Sequence, residues 1–163
     1  MSTVRETVEV GVPVRTAYNQ WTQFEEFPNF MEGVEEVTQI DDRHNHWITR
    51  VGGVTREFDT EIVDQLPDER ITWRSTTGDT RQRGMVRFEP VDDTHTRVEL
   101  VMDVEPGGVM EKTGDMLGLI DRRIKGDMRR FKQYVEQRGD ETGSWRGRVR
   151  PGDAGSGDTG PSR

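Results

Sequence analysis

Apolar and polar residues alternate from the start of the chain, where TVRETVEVGVP places Val4, Val8, Val10 and Val12 among Arg5, Glu6, Thr7 and Glu9. Alternation of period two predicts a half-buried strand, ended by Pro13. Pro13 suits the first turn of a helix. Val14, Ala17, Tyr18 and Trp21 then follow at helical spacing, which predicts a helix to about Trp21. Tyr18, Trp21, Phe24, Phe27 and Phe30 continue as an aromatic at every third position. Period three suits neither a regular α-helix nor a strand. Phe27 precedes Pro28 and is biased toward extended geometry, so the helix is expected to stop before it. A short helical turn from Pro28 to Met31, closed by Gly33, is expected to follow. On that reading Tyr18 and Trp21 are core, and Phe27, Phe30 and Met31 line or gate a cavity.

From residue 34 to 105 the pattern is strands with short turns. The segments are 34–40, 46–51, 54–66, 70–76, 81–91 and 95–105, with Gly52-Gly53 as a hairpin signal between the second and third. Short connections predict antiparallel neighbours. After Pro106-Gly107-Gly108 the period changes. Leu117, Ile120, Ile124, Met128, Phe131 and Val135 step by three or four, the signature of a long amphipathic helix with Lys125, Arg129, Arg130 and Lys132 on its other face. The predicted class is therefore α+β, a curved antiparallel sheet of about seven strands wrapped around a long C-terminal helix. Two short helices follow the first strand, and no internal repeat is visible. So long a meander must curl, and its concave face must be covered.

Alternation also assigns faces. Trp47, Thr49 and Val51 fall on the inner side, with Val54, Arg56, Phe58, Thr60 and Ile62. So do Ile71, Trp73 and Ser75, then Gly84, Val86 and Phe88, and finally Val98, Leu100, Met102 and Val104. Thr55, Glu57, Asp59 and Glu61 oppose them and are expected to face water. An inner face of large apolar groups with few polar ones is the usual lining of a small-molecule pocket. The candidate lining set is Phe27, Phe30, Met31, Trp47, Thr49, Arg56, Phe58, Thr60, Trp73, Ser75, Val86, Phe88 and Leu100, with Met116, Leu117 and Ile120 from the helix.

Arg56 carries two readings. It can meet a carboxylate or carbonyl of a ligand, or snorkel to water from its place near the strand end. Gly114 and Gly118, four apart beside Leu117, either leave room for a ligand or allow close packing. Met110, Met116 and Met128 add adaptable apolar surface, read most simply as core filling.

Composition narrows the chemistry. Of 163 residues 30% are hydrophobic and 33% charged, with a net charge of −8. The stretch from Gly139 onward is rich in Gly, Asp and Arg and offers little to bury. It is read as a disordered tail, 139–163, after a domain spanning 1–138. Its acids and arginines balance, so the negative excess belongs to the domain. An acidic body argues against general nucleic-acid binding. The WRGRVR patch at 145–150 is the exception, a contact for RNA or an anionic membrane, or simply part of an inert tail. Absence of cysteine excludes disulfides and thiolate catalysis. No stretch approaches a membrane span and no secretory leader is visible, so the expected setting is cytoplasmic, with transient membrane contact left open. His44, His46 and His95 fall in or beside turns, which suits turn chemistry better than a metal site lacking a third ligand. No phosphate-binding loop follows Gly52-Gly53. No cofactor or metal is expected, and no residue set forms a nucleophilic catalytic group. Nothing in the sequence sets an oligomeric state.

Taken together, ETVEVGVPVRTAYNQWTQFEEFPNFMEGVEEV, VTREFDTEIVDQLPDERITWRS, VRFEPVDDTHTRVEL and the helix ending RRFKQYVEQR resemble the START-like (SRPBCC) helix-grip superfamily. This superfamily includes polyketide cyclase/dehydrase-type proteins, coenzyme Q-binding START-like proteins and the birch pollen allergen class. The resemblance spans about residues 3–138 and rests on order and spacing rather than on one motif. It implies an internal apolar cavity between sheet and C-terminal helix that binds a lipid, quinone or polyketide-like molecule. The alternative is a cyclase or dehydratase acting on such a molecule. Fold alone does not transfer the reaction, and no catalytic residue carries over.

Overall fold

A computed structural model describes residues 2–78, 81–105 and 113–152, with the side chains of residues 2, 105 and 113–117 left out. Strand β1 (Ser2–Val10) leads into helix α1 (Val14–Trp21) and a 3-10 helix, Phe24–Asn29. Then come β2 (Val34–Gln39), β3 (His44–Val51), β4 (Val54–Leu66), β5 (Arg70–Ser75), β6 (Arg81–Asp92) and β7 (His95–Glu105). Helix α2, Thr113–Arg138, closes the order. The expected turn at Pro106-Gly107-Gly108 and Met110 lie outside the described residues.

The strands form one antiparallel sheet in the order β1-β7-β6-β5-β4-β3-β2. Six neighbouring strands meander, and β1 returns to pair with β7. The sheet curls into a half-barrel around α2, the helix-grip arrangement expected from the sequence. Gly52 and Gly53 have φ of 65° and 79°, the pair of positive values that a two-residue hairpin turn requires. Along its free edge β1 is tied to α2 by Lys132, whose Nζ donates to the Glu9 carbonyl, and by Glu136, which accepts from the Gly11 N–H.

The core lies between the sheet's concave face and the helices. Trp21 is fully buried and meets Phe131 of α2 edge-on at 5.0 Å between ring centroids, and Phe27 at 5.4 Å. Such pairs add about 0.5–1.5 kcal/mol beyond the area they bury. Tyr18 is equally buried and packs edge-on to Phe88 at 5.4 Å. Its hydroxyl accepts from Gln65 Nε2, and burial pushes its pKa up to about 12.

Three local expectations are corrected, and a bulge in β4 adds a finding that alternation did not address. The aromatic run does not break at Phe27-Pro28. Helix α1 ends at Trp21, and both residues lie inside the 3-10 helix. A 3-10 helix repeats every three residues, which stacks Phe24, Phe27 and the flanking Phe30 in sequence at 5.2 and 5.3 Å.

Glu61 does not face water. It lies on the outer face as predicted but is only 5% exposed. Its cross-strand partners are His44 and Arg74. Their side chains cover it, with Arg74 at 3.0 Å and His44 at 3.8 Å.

In β4 the register shifts between Ile62 and Asp64. A bulge of this kind resets which side chains face inward. Gln65 is thereby buried, and Asp64 is left to accept from Arg70 Nε at 2.6 Å.

Residues 139–152, expected to be a loose tail, lie along the body; the expectation for 153–163 falls outside the described residues. The backbone N–H of Thr142 donates to Gln20 Oε1, and Gln20 Nε2 donates back to Thr142 Oγ1. Asn19 Nδ2 donates to Glu141, and the Trp145 N–H donates to Thr22 Oγ1. Arg146 lies over the Tyr18 ring at 5.4 Å and pairs with Asp68 at 2.8 Å. Val149 and Gln65 exchange two backbone hydrogen bonds, and Val149 is 4% exposed. Composition misleads here because few residues hold the strap, each with a specific partner on α1 or the β4–β5 hairpin.

Two outcomes follow. Truncation after Arg138 is expected to lower the thermal midpoint by about 5–10 °C in calorimetry, reflecting the loss of roughly 2–3 kcal/mol; an unchanged midpoint would mean the strap adds nothing. A Cβ on Gly84 would stand 2.3 Å from Trp73 Cζ2 and 2.8 Å from Met102 Sδ. Gly84→Ala is therefore expected to cost about 1–3 kcal/mol by overpacking, read as a lower denaturation midpoint.

Candidate functional site

The half-barrel and α2 do not fill all the space between them. A cavity of about 190 Å³ remains. Its sheet wall is built by alternation along neighbouring strands, with Trp47 and Thr49 on β3, Arg56, Phe58 and Thr60 on β4, Trp73 on β5 and Leu100 on β7. The other wall comes from Trp21 at the end of α1, Phe27 and Met31 from the 3-10 region, and Ile120, Arg123, Ile124 and Asp127 of α2. Val54, beside the β3–β4 hairpin, lines the cavity yet is 42% exposed. The cavity therefore reaches the surface at that end.

Its aromatic groups are held in fixed orientations. The Trp47 and Phe58 rings stack with a 7° interplanar angle, 6.2 Å apart, and Phe27 meets Trp47 edge-on at 5.6 Å. Trp47 Nε1 donates to Thr60 Oγ1 at 2.8 Å, so the hydroxyl that alternation turns inward orients the indole. Trp73 occupies the space left by the missing side chain of Gly84, its cross-strand partner.

The structure brings most of the expected lining residues together, namely Phe27, Met31, Trp47, Thr49, Arg56, Phe58, Thr60, Trp73, Leu100 and Ile120. Four others go elsewhere. Phe30 packs on Phe131 and Tyr134 at 5.2 and 5.1 Å, behind the cavity wall. The Ser75 hydroxyl accepts from the Gln82 N–H. Phe88 is buried against Tyr18 and Trp21, and Val86, fully buried on the same strand, is also outside the lining. The reason is shared: alternation says which face a residue takes but not where along the sheet a helix sits on it. Met116 and Leu117 have side chains outside those described. Gly118 is exposed, and a Cβ there would have nothing within 4 Å, so close packing on the sheet does not call for glycine.

Several lining residues were not in the expected set. Val51, Val54, Met102 and Val104 follow the inner-face alternation and differ from the chosen residues only in position along the strands. Trp21 reads from sequence as plain core. Asp127 had a legible signal, because it falls three residues after Ile124 and four before Phe131, on the apolar stripe of α2.

Asp127 is the cavity's distinctive polar group. It is 5% exposed, and its Oδ1 accepts from the Glu32 N–H at 2.9 Å and from Arg130. Desolvation raises its pKa above the ordinary carboxylate value, opposed by those two hydrogen bonds. Arg123, one turn earlier, pairs with Glu32 at 2.9 Å. Arg56 also lines the cavity and is half-buried.

None of the histidines lies in the lining. His44 and His95 pair with Asp41 and Asp92 at 2.8 and 2.9 Å. His46 pairs with Asp59 at 2.6 Å and Glu57 at 3.1 Å, and the Asp59 hydrogen bond raises its pKa. Among the described residues no group of three or more His, Cys, Asp or Glu is placed to hold a metal ion, and no helix is long and apolar enough to cross a membrane.

Comparison with known proteins agrees with this architecture. An uncharacterised 17.2 kDa protein from the melC2-rnhH intergenic region of Streptomyces lincolnensis is 56% identical over 149 residues, 91% of this chain and 99% of that protein. A match that long runs past Arg138 into the strap. Among solved structures, a START superfamily protein from Mycobacterium smegmatis superposes with a TM-score of 0.73 at 18% identity, over 83% of this chain and 97% of the other. The Zhui aromatase/cyclase from Streptomyces sp. R1128 gives 0.73 at 16% identity, over 88% and 99%. At these identities the two structures speak for the fold alone. The family described as polyketide cyclase / dehydrase and lipid transport matches residues 10–133, the stretch that builds both walls of the cavity. The chain belongs to that family, and its fold is the START-like helix-grip fold.

Proposed function

We propose that this protein binds a hydrophobic, ring-containing small molecule, of the lipid, quinone or polyketide-like kind, in the cavity between sheet and α2. The observation that carries this reading is the apolar cavity itself, walled by Trp47, Phe58, Trp73 and Leu100 on the sheet and by Ile120 and Ile124 on the helix. A void of this size lined by packed side chains forfeits dispersion contacts, which an apolar occupant would restore. Flat aromatic walls favour a flat ligand, because offset stacking and edge contacts need a ring surface to act on. Arg56 and Thr49 supply sparse polar contacts of the kind that orient a ligand in such pockets.

A second reading, cyclase or dehydratase chemistry on the bound molecule, draws on one observation. The buried carboxyl of Asp127 lines the cavity and has a raised pKa, which suits proton exchange with a folded, carbonyl-bearing chain. It differs from the first reading in requiring turnover of the bound molecule.

Native mass spectrometry of the purified protein, alone and with a naphthalene-type probe, is expected to show a one-to-one complex. Phe58→Asp should abolish that complex, while Phe58→Leu keeps it. Failure of any apolar probe to bind, or an unaltered response in Phe58→Asp, sinks the reading. In the same titrations Arg56→Leu is expected to weaken carboxylate or carbonyl probes about tenfold and hydrocarbons little. Equal losses for both would place the Arg56 guanidinium outside the ligand's reach.

A further inference from the structure

The cavity is not uniformly apolar, and its polar atoms are unevenly satisfied. Trp21 is fully buried and lines the cavity, yet its Nε1 has no hydrogen-bond partner among the described residues. Arg123 Nε is likewise buried without an acceptor, although Nη1 of the same guanidinium holds Glu32 at 2.9 Å. Asp127 receives both of its hydrogen bonds on Oδ1, from the Glu32 N–H and Arg130. Its Oδ2 takes none. Buried donors without acceptors are rare in folded proteins, and each costs about 1–3 kcal/mol. Three residues of one cavity wall thus carry two unmet N–H donors and an acceptor oxygen with capacity to spare.

Charge selects among the groups that would meet them. Arg123 is compensated by Glu32, and Arg130 by Asp127 with Glu32 at 3.4 Å. At the α2 wall, away from Arg56 on β4, two cations and two carboxyl groups already match. An incoming carboxylate or phosphate would add an unmatched charge beside Asp127, and burial of unmatched charge is costly. A neutral oxygen adds none. A carbonyl can accept from Trp21 Nε1 or Arg123 Nε, and a hydroxyl can also donate to Asp127 Oδ2.

We propose that Trp21, Arg123 and Asp127 form the polar subsite of this cavity, and that it selects a neutral ring compound bearing a hydroxyl or carbonyl group over both a hydrocarbon and an anion. The proposal rests on the reading that the cavity binds an apolar molecule. It adds which residues read the ligand's oxygen, and what charge that ligand carries. Arg56, across the cavity on β4, is not part of this subsite.

Probes of one shape separate the two ideas. Isothermal titration of the full chain with naphthalene, 2-naphthol, 1-tetralone and 2-naphthoate at neutral pH should give tightest binding for the naphthol or the tetralone. The expected margin is about tenfold over naphthalene, the effect of one or two buried hydrogen bonds. Trp21→Phe keeps an aromatic ring and removes the N–H, and Arg123→Met keeps a long apolar stem. Each should cut naphthol or tetralone affinity several-fold more than it cuts naphthalene affinity. Should Trp21→Phe fail to fold, Arg123→Met on the helix carries the same test. Naphthalene binding as tightly as the oxygenated probes, or naphthoate binding tightest, overturns the polar subsite while leaving an apolar binding cavity intact. Binding of none of the four sinks both.

Discussion

The packing of α2 along the concave face of the sheet is the constraint on which the rest of the molecule depends, and it is unequal along the helix. In the C-terminal half, Met128, Phe131 and Val135 are buried outright, and Phe131 is wedged between Trp21 and Phe30 at 5.0 and 5.2 Å. One turn toward the N-terminus, Ile120, Arg123, Ile124 and Asp127 face space that no described side chain fills. A half-barrel curls too widely for a single helix to contact all of it. The aromatics of α1 and the 3-10 helix close the gap at one end. The cavity is the remainder, so the packing that stabilises the fold also positions the site.

The strap extends this logic to the far side of α1. It holds the helix's last turn through Asn19, Gln20 and Thr22, and it reaches the β4–β5 hairpin through Asp68 and Gln65. Asp68 has φ of 65°, a conformation uncommon outside glycine that is tolerated by aspartate in turns. Its carboxylate takes Arg146, whose guanidinium also covers Tyr18. Trp21, between two strap-bound residues, is thereby fixed from outside while its indole forms part of the cavity wall. A segment with few apolar residues can thus bear on the geometry of an apolar site.

The polar groups at the cavity illustrate how an ion network can be neutral and still unsatisfied. Glu32 brings Arg123 and Arg130 together from the loop after the 3-10 helix, and Asp127 caps the Glu32 N–H in return. Charges are matched, but hydrogen-bonding capacity is not. That difference between charge and valence gives the site its preference for neutral oxygen.

Much of the architecture was determined by sequence alone, because period-two alternation and the 3.6-residue stripe of α2 are local properties of the chain. The seven strands, the hairpin at Gly52-Gly53, the long helix and the inward set Trp47, Phe58, Trp73 and Leu100 all follow from such local rules. Tertiary structure decided what depends on where elements meet. Phe30 and Phe88 became core while Trp21 became cavity wall, since helix placement, not strand face, divides filled from empty space. Glu61 was buried by the side chains of neighbouring strands, and Gln65 was turned inward by a bulge that no alternation pattern announces. The strap was hidden because its hold comes from hydrogen bonds and an ion pair to distant residues, whereas composition registers only how little it has to bury.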